Sequence, residues 1–330
     1  MIISAQQTKK IITTAAALTL LAGLGATFLL NNAGAQESPR ILTIDPPSKE
    51  LHLNPGDKTE GVLKLINDGS TEITLTVSAQ DFIVEDTHGT PTVLPAGTLS
   101  KRFSGAAWIG LIPSTFTVPA HQIQSIHYYI QVPPDARPGG HYAAIVYSPT
   151  KAIGVAGTGA SVQTQLGTLF SLDVNGPITE EAIVSQFTAN KFQESGPVHI
   201  LTQIKNYSDI HIKPKGSIII TDMFGNRVAT LPFTQHNIFP MAALDYVNIF
   251  DKPWMIGKYT AHFLASYGEK NNLPLDATFS FIVFPWKVAV LIILILIAAV
   301  LGYFVWKRRK EIKAWEEHMR VHHPEENQAQ

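Results

Sequence analysis

The chain contains no cysteine. In an exported protein this excludes disulfide staples, thiolate metal sites and cysteine nucleophiles, so any domain outside the cell is held by packing and hydrogen bonds alone. Charge is also scarce. Only 15% of residues are charged and the net charge is −1, which leaves no basic surface for a nucleic-acid partner. Signatures of catalysis are missing as well: there is no G-x-S-x-G elbow, no H-E-x-x-H and no phosphate-cradling glycine loop. Nothing calls for a cofactor or a metal. From residue 41 to 174 no segment carries the apolar stripe of an amphipathic helix.

What the chain does have is two long apolar runs. Residues 288–305, VAVLIILILIAAVLGYFV, hold no charge and as a helix would reach ~27 Å, close to the ~30 Å of a bilayer core. Trp286 and Trp306 flank the run, and Lys307, Arg308, Arg309 and Lys310 follow it. Aromatic rings suit the headgroup region, and a basic cluster marks the cytoplasmic side. The chain before Trp286 is then extracytoplasmic, and without the apolar segment near the N-terminus about 250 residues remain outside, enough for two domains. Near the N-terminus Lys9 and Lys10 precede the apolar residues 11–30, and Ala33-Gly34-Ala35 follows. This order reads as a signal peptide spanning residues 1–35, cleaved between Ala35 and Gln36, with a retained anchor as the alternative.

Between these runs the pattern is that of strands. Ile73, Leu75, Val77 and Ala79 alternate with polar residues, and so do Ile126, Tyr128, Ile130 and Val132, which predicts half-buried strands. Turns such as Asn54-Pro55-Gly56-Asp57 and Arg137-Pro138-Gly139-Gly140 separate them. Residues 151–160 read as a loop and 162–174 as the closing strand. Asn175-Gly176-Pro177 reads as a linker. Seven further strands are expected between 183 and 284, with a hairpin around Asp222–Asn226. The fold class is therefore all-β: two tandem immunoglobulin-like β-sandwiches, residues 36–174 and 175–285, then a single transmembrane helix, 286–306, and a basic cytoplasmic tail, 307–330.

The two sandwiches read as divergent copies. Leu65-Ile66-Asn67 corresponds to Ile204-Lys205-Asn206, Val118-Pro119-Ala120 to Phe239-Pro240-Met241, and Gly140-His141-Tyr142 to Gly257-Lys258-Tyr259. Tyr142 and Tyr259 are thereby cast as tyrosine corners, fold locks whose hydroxyls reach nearby backbone, in preference to ligand contacts. The first copy carries extra chain between Phe82 and Ser114. Cationic and aromatic side chains there, Lys101, Arg102 and Trp108, are the candidate ligand-binding residues, against the plainer expectation that Trp108 is core. Asp81, Glu85 and Asp86 read as a solvated turn, without the loop pattern of a calcium site. His211 and the pair His322-His323 read as surface residues lacking metal partners.

The order of Leu53-Asn54-Pro55-Gly56, Leu65-Ile66-Asn67, Val118-Pro119-Ala120 and Pro133-Pro134-Asp135-Ala136-Arg137-Pro138-Gly139-Gly140-His141-Tyr142, with a second sandwich and a C-terminal span, resembles the WxL-interacting proteins of Gram-positive bacteria. The resemblance implies a first domain that binds peptidoglycan and a second that binds a partner or host protein. No contact residue transfers with it. The expected function is that of a membrane-anchored, non-enzymatic surface protein engaging wall polymer, another surface protein, or both. The alternative is a membrane-tethered assembly factor, like a pilus chaperone, that lends a strand to a surface subunit. It requires an accessible edge strand with vacant apolar positions. A hydrolase is the third and least supported reading.

Overall fold

The computed structural model describes residues 42–94, 98, 102–150, 153–154, 161–162, 166–268 and 272–322. The signal-peptide reading, the Ala35–Gln36 cleavage site and Lys101 lie outside these residues. The first sandwich contains β1 (Leu42–Asp45), β2 (Ser48–Leu53), β3 (Lys58–Asn67), β4 (Ile73–Val84), β5 (Pro91–Val93), β6 (Ile109–Ile112), β7 (Thr115–Val118), β8 (Ile123–Gln131), β9 (Gly139–Pro149), the short pair β10 (Ile153–Gly154) and β11 (Ser161–Val162), and β12 (Leu166–Val174). The second contains β13 (Ala182–Thr188), β14 (Phe192–Gln193), β15 (Val198–Asn206), β16 (Lys215–Thr221), β17 (Arg227–Pro232), β18 (Ala243–Phe250), β19 (Gly257–Tyr267) and β20 (Leu273–Val283). The helix α1 (Trp286–His322) closes the described chain.

In the first sandwich the sheet β1-β3-β8-β6 faces the sheet β2-β12-β9-β4-β5, with β7 also paired to β4. In the second, β13-β15-β18 faces β14-β20-β19-β16-β17. The architecture is thus two immunoglobulin-like sandwiches and one apolar helix. Alternation explains most strands: Ile126, Tyr128 and Ile130 of β8 are buried while His127 and Tyr129 are exposed. Two departures from the sequence reading stand out. The stretch 151–160, expected to be a loop, contains β10, which pairs antiparallel with β11. The strands β1, β5, β6 and β7 are too short among glycines and prolines to show a period. The helix α1 continues past the expected membrane span, which ends at Trp306, because nothing between Lys307 and His322 is glycine or proline; the next breaker is Pro324.

The central strand β9 differs from the half-buried expectation because it is buried on both faces. Ala143, Ile145 and Tyr147 enter the core of the first sandwich. Tyr142, Ala144 and Val146 face the other way, into a third apolar cluster with Phe82, Val84, Phe103 and, from the second sandwich, Phe239 and Ala242. Phe239 meets Phe82 and Tyr142 edge-on, with ring centroids 5.3 and 5.0 Å apart. The sandwiches are therefore packed together as well as tied by the linker. Polar contacts reinforce the seam. Gly140 N–H donates to Asp209 O at 2.9 Å, and Asp245 N–H donates to Thr87 O at 2.8 Å. Arg102 forms an ion pair with Asp209. Gly139 has φ +113°, and a Cβ there would lie 2.7 Å from Asp209 O; both facts require glycine.

The internal copies are real in geometry but shifted by one residue from the sequence correspondence at two places. Asn67 and Asn206 match as expected. Each is fully buried, and each side-chain carbonyl accepts from the N–H two residues on, Gly69 and Ser208. Each Nδ2 donates to distant backbone, to Val118 O in one copy and Ile238 O in the other. Val118 is hence the counterpart of Ile238, and the positive-φ residues His121 and Met241 coincide. Likewise Gly139 opposes Val174 as Gly257 opposes Val283. The counterpart of Tyr259 is then His141, not Tyr142. A shift of one residue along a strand moves a side chain to the opposite face.

The two tyrosines consequently differ. Tyr259 OH donates to Ile256 O at 3.4 Å, inside its own sandwich, as a tyrosine corner should. In the first sandwich His141 takes that place, with Nε2 2.9 Å from Arg137 O and Nδ1 2.9 Å from Ser104 O. Tyr142 instead accepts the His211 N–H at 2.7 Å across the domain seam. Tyr142→Phe strands that buried N–H and is expected to cost about 1–3 kcal/mol, with faster amide exchange at His211. Tyr259→Phe should cost about 0.5–1.5 kcal/mol and leave exchange at His211 unchanged. Equal exchange at His211 in the parent and Tyr142→Phe would rule out the clamp.

Candidate functional site

His211, expected on the surface, is buried. The loop after β15 carries it into the seam, where the antiparallel strands β9 and β12 present Tyr142 and Asp173 and the adjacent β2 presents Glu50. Its Nε2 lies 3.2 Å from Glu50 Oε1, its Nδ1 3.3 Å from Tyr142 OH and 3.7 Å from Asp173 Oδ1. Lys213 Nζ donates to Glu50 Oε2 at 2.5 Å. Burial, and then the charge of Asp173, push the Tyr142 phenol well above its ordinary range, so it stays protonated. Beside the network a cavity of about 330 Å³ opens between the domains, lined by His52, Asp173, Glu180, His211 and Lys213 among others.

Glu50, Asp173 and His211 each offer one ligand atom, all within 4.8 Å of one another. Such a set can be held by a divalent ion or by ion pairing. Lys213 already places a cation against Glu50, and both ring nitrogens of His211 face polar groups. A divalent ion would compete with Lys213 for the Glu50 carboxylate. The group is read as an interdomain ion-pair network.

The residues singled out in the sequence are dispersed. Arg102 is held by Asp209, with Arg137 Nη2 3.7 Å from the same carboxylate oxygen. Trp108 is half-buried, its ring 4.2 Å from that of His141. The extra chain of the first copy braces the seam: Phe103 O accepts the Tyr142 N–H at 2.8 Å. Asp81, expected on a solvated turn, is buried and accepts from Gly105 N, Ala106 N and Ser104 Oγ at 3.0, 2.9 and 2.7 Å. Asp86 does sit on an exposed turn, accepting from Thr90 N at 2.9 Å. Lys307 to Lys310 lie on exposed turns of α1.

A surface with the character of a recognition site lies on the other side of the seam. A cleft of about 570 Å³ runs between the domains, with Phe82, Phe103, Tyr142, Phe239 and Met241 among its lining and Lys205 and Glu85 at its polar parts. It adjoins β18, the edge strand of the sheet β13-β15-β18. Asp245 N–H points away from β15, since it donates to Thr87 O. Antiparallel pairs alternate between bonded and non-bonded, so the backbone groups of Val247 and Ile249 point away from β15 as well. Their side chains are 63% and 51% exposed. Leu244, Tyr246 and Phe250 fill the core from the same strand. The sequence marked a strand at Leu244–Ile249 but not its open edge; the signal for that is ALDYVNIF, with apolar residues at outward as well as inward positions.

The seam titrates. Burial raises the Glu50 carboxyl, but the Lys213 hydrogen bond and the charges of His211 and Lys213 outweigh it and hold the pKa below the ordinary value. Asp209 is likewise lowered, against its burial, by the Thr179 N–H and by Arg102 and Arg137. A depressed carboxyl pKa contributes stability that is fully present above the unfolded value, about 4, and is lost as pH falls through the folded value. The melting temperature of the parent should therefore fall more steeply below about pH 4 than that of the Glu50→Gln, Asp209→Asn double variant. Parallel melting curves across that range would contradict the assignment.

No family model matches the chain, and no curated protein matches it. Among solved structures it is similar to the class 5 fimbriae chaperone CfaA, at 13% identity and a TM-score of 0.39, over 72% of this chain and 98% of that one. It is similar to a chain of the Salmonella enterica SafA pilin complex with the SafB chaperone, at 10% identity and a TM-score of 0.33, over 73% of this chain and 96% of that one. The Pseudomonas aeruginosa CupB2 chaperone gives 9% identity and a TM-score of 0.33, over 73% of this chain and all of the other, 100%. The likeness concerns the fold, and nothing about partner or role is taken from it.

Proposed function

We propose that this chain is a single-pass membrane protein whose two sandwiches stand outside the cell and hold an extended segment of another surface protein against the edge of β18, without catalysis. The observation that carries the reading is the edge itself. One of its outward N–H groups already binds backbone from elsewhere, Thr87 O, and the next two outward positions are apolar and exposed. Addition of a strand at such an edge draws affinity from main-chain hydrogen bonds and specificity from alternate side chains. The apolar helix α1 is long enough to cross a membrane, and the basic cluster Lys307 to Lys310 supports a cytoplasmic far end. Of the two ligands implied by the WxL-interacting resemblance, a protein partner fits this surface. Of the residues considered for wall polymer, Arg102 and Trp108 are engaged within the protein. A factor assisting subunit assembly would use the same edge, so the two roles differ in whether the partner stays or leaves.

The test is site-specific photo-crosslinking in intact cells. A crosslinker at Val247 or Ile249 should capture the same extracytoplasmic partner, and one at the buried Phe250 should not. Val247→Pro removes an outward N–H without breaking the ladder to β15, a substitution that edge strands tolerate. It should abolish capture from Ile249 while keeping the melting temperature. Undiminished capture would exclude strand addition. A pulse-chase of the adduct separates a resident partner from a released subunit.

A further inference from the structure

A second exposed apolar surface lies at the opposite end of the second sandwich, where the chain enters α1. Gly257 opposes Val283 in the sheet, and only Phe284 and Pro285 separate Val283 from the first residue of the helix, Trp286. The helix start is also tied to the domain, since Lys287 Nζ lies 3.0 Å from Glu194 Oε2. The hairpin tip Asp222–Asn226 extends past Thr221, which opposes Thr260 near the start of β19. Met223 Sδ would lie 3.4 Å from a Cβ on Gly257. The loop after β18 arrives at the same place. Ile256 ends that loop directly before Gly257, the residue that Met223 approaches. Two loops and the helix entry thus share one end of the domain.

Their side chains are unlike those of an ordinary wet loop. Phe224 is 81% exposed and Trp254 76%, with Met223, Ile256 and Phe284 also exposed. Lys252 and Lys258 flank them. Aromatic rings with neighbouring lysines are the composition that sits at a headgroup boundary. Because the helix leaves from the same end over two residues, these loops cannot stand far from the plane it enters.

We propose that this end of the second sandwich docks on the outer leaflet, with Phe224 and Trp254 inserted at the level of the lipid headgroups and lysines against phosphate. The inference rests on the reading of α1 as a membrane span and adds a second, peripheral attachment that fixes the tilt of the sandwiches. The occupant is the bilayer that holds the helix, because continuity with that span brings lipid, before any other partner, to these loops.

The chain has no cysteine, so single-cysteine variants can be labelled uniquely. Full-length Phe224→Cys, Trp254→Cys, Val247→Cys and Leu294→Cys would each carry the environment-sensitive dye NBD, in vesicles of phosphatidylcholine and phosphatidylglycerol. Docking predicts blue-shifted emission at Phe224 and Trp254, quenched by lipids spin-labelled near the headgroup. Leu294 should be quenched by lipids labelled deep in the chain, and Val247 should behave as in water. Phe224 and Trp254 as wet as Val247, with Leu294 in lipid, overturns docking while leaving the span intact. A blue shift without lipid quenching would mean that protein, a second copy, covers the loops, and it also overturns docking. A wet Leu294 overturns the span and this inference with it.

Discussion

The hydrogen bond from the His211 amide to the Tyr142 hydroxyl is the constraint from which the arrangement of the two sandwiches follows. It is short, 2.7 Å, and it lies in a seam whose rings and charges would be costly to bury without partners. Tyr142 supplies an apolar ring to Phe82 and Phe239 and a polar atom to the loop that carries His211. A tyrosine on that face of β9 leaves the second domain one register in which both ends of the side chain are satisfied. Asp209 is held by Arg102 in the same register, and Asp245 finds Thr87. Each contact is modest, but all of them require the same placement, which is how the junction becomes specific.

The same strand shows why the copies drifted apart in sequence. The first sandwich buries both faces of β9 and puts histidine where the second has its corner tyrosine. The role of that position, a ring tied to backbone a few residues upstream, is kept by His141 and Tyr259 with different chemistry. The neighbouring position, Tyr142, lies on the opposite, outward face of the strand, where it meets the second domain. The domain seam is therefore an elaboration of the repeated unit.

This also explains what could be read from the chain. The strands of the two cores were legible because alternation reports burial on one face, as in β3, β4, β8 and β15. The pairing of Asn67 with Asn206 was legible because a buried asparagine closing a turn has few substitutes. The correspondence of Tyr142 with Tyr259 misled because the tyrosines share a neighbourhood and not a face, and a period of two cannot detect a slip of one. Glu50, Asp173 and His211 are far apart in sequence, and their convergence is a property of topology: β2 runs parallel to β12, and the loop after β15 folds back on both. No spacing rule reaches such a set. The edge β18 carried a readable signal in its outward Val247 and Ile249, but that pattern gains meaning only once the strand is known to have a neighbour on one side alone.

The two proposed surfaces bear on each other through the direction of β18. The strand begins at the seam, where Asp245 is capped by Thr87, and ends at Phe250, beside the loop that carries Trp254. It therefore runs from the first sandwich toward the bilayer end of the second, over about 26 Å at the usual rise per residue. Thr87 closes its upper end, and the leaflet would close its lower end. Only a short segment fits between, joined by few main-chain hydrogen bonds, so affinity in free solution would be weak. A partner held at the same membrane meets the edge at high effective concentration and needs little intrinsic affinity. Anchoring and a short edge thus belong together. Exposed valine and isoleucine on a long edge of a diffusing protein would be an aggregation hazard; here Thr87 caps one end, and docking on the leaflet would restrict the other.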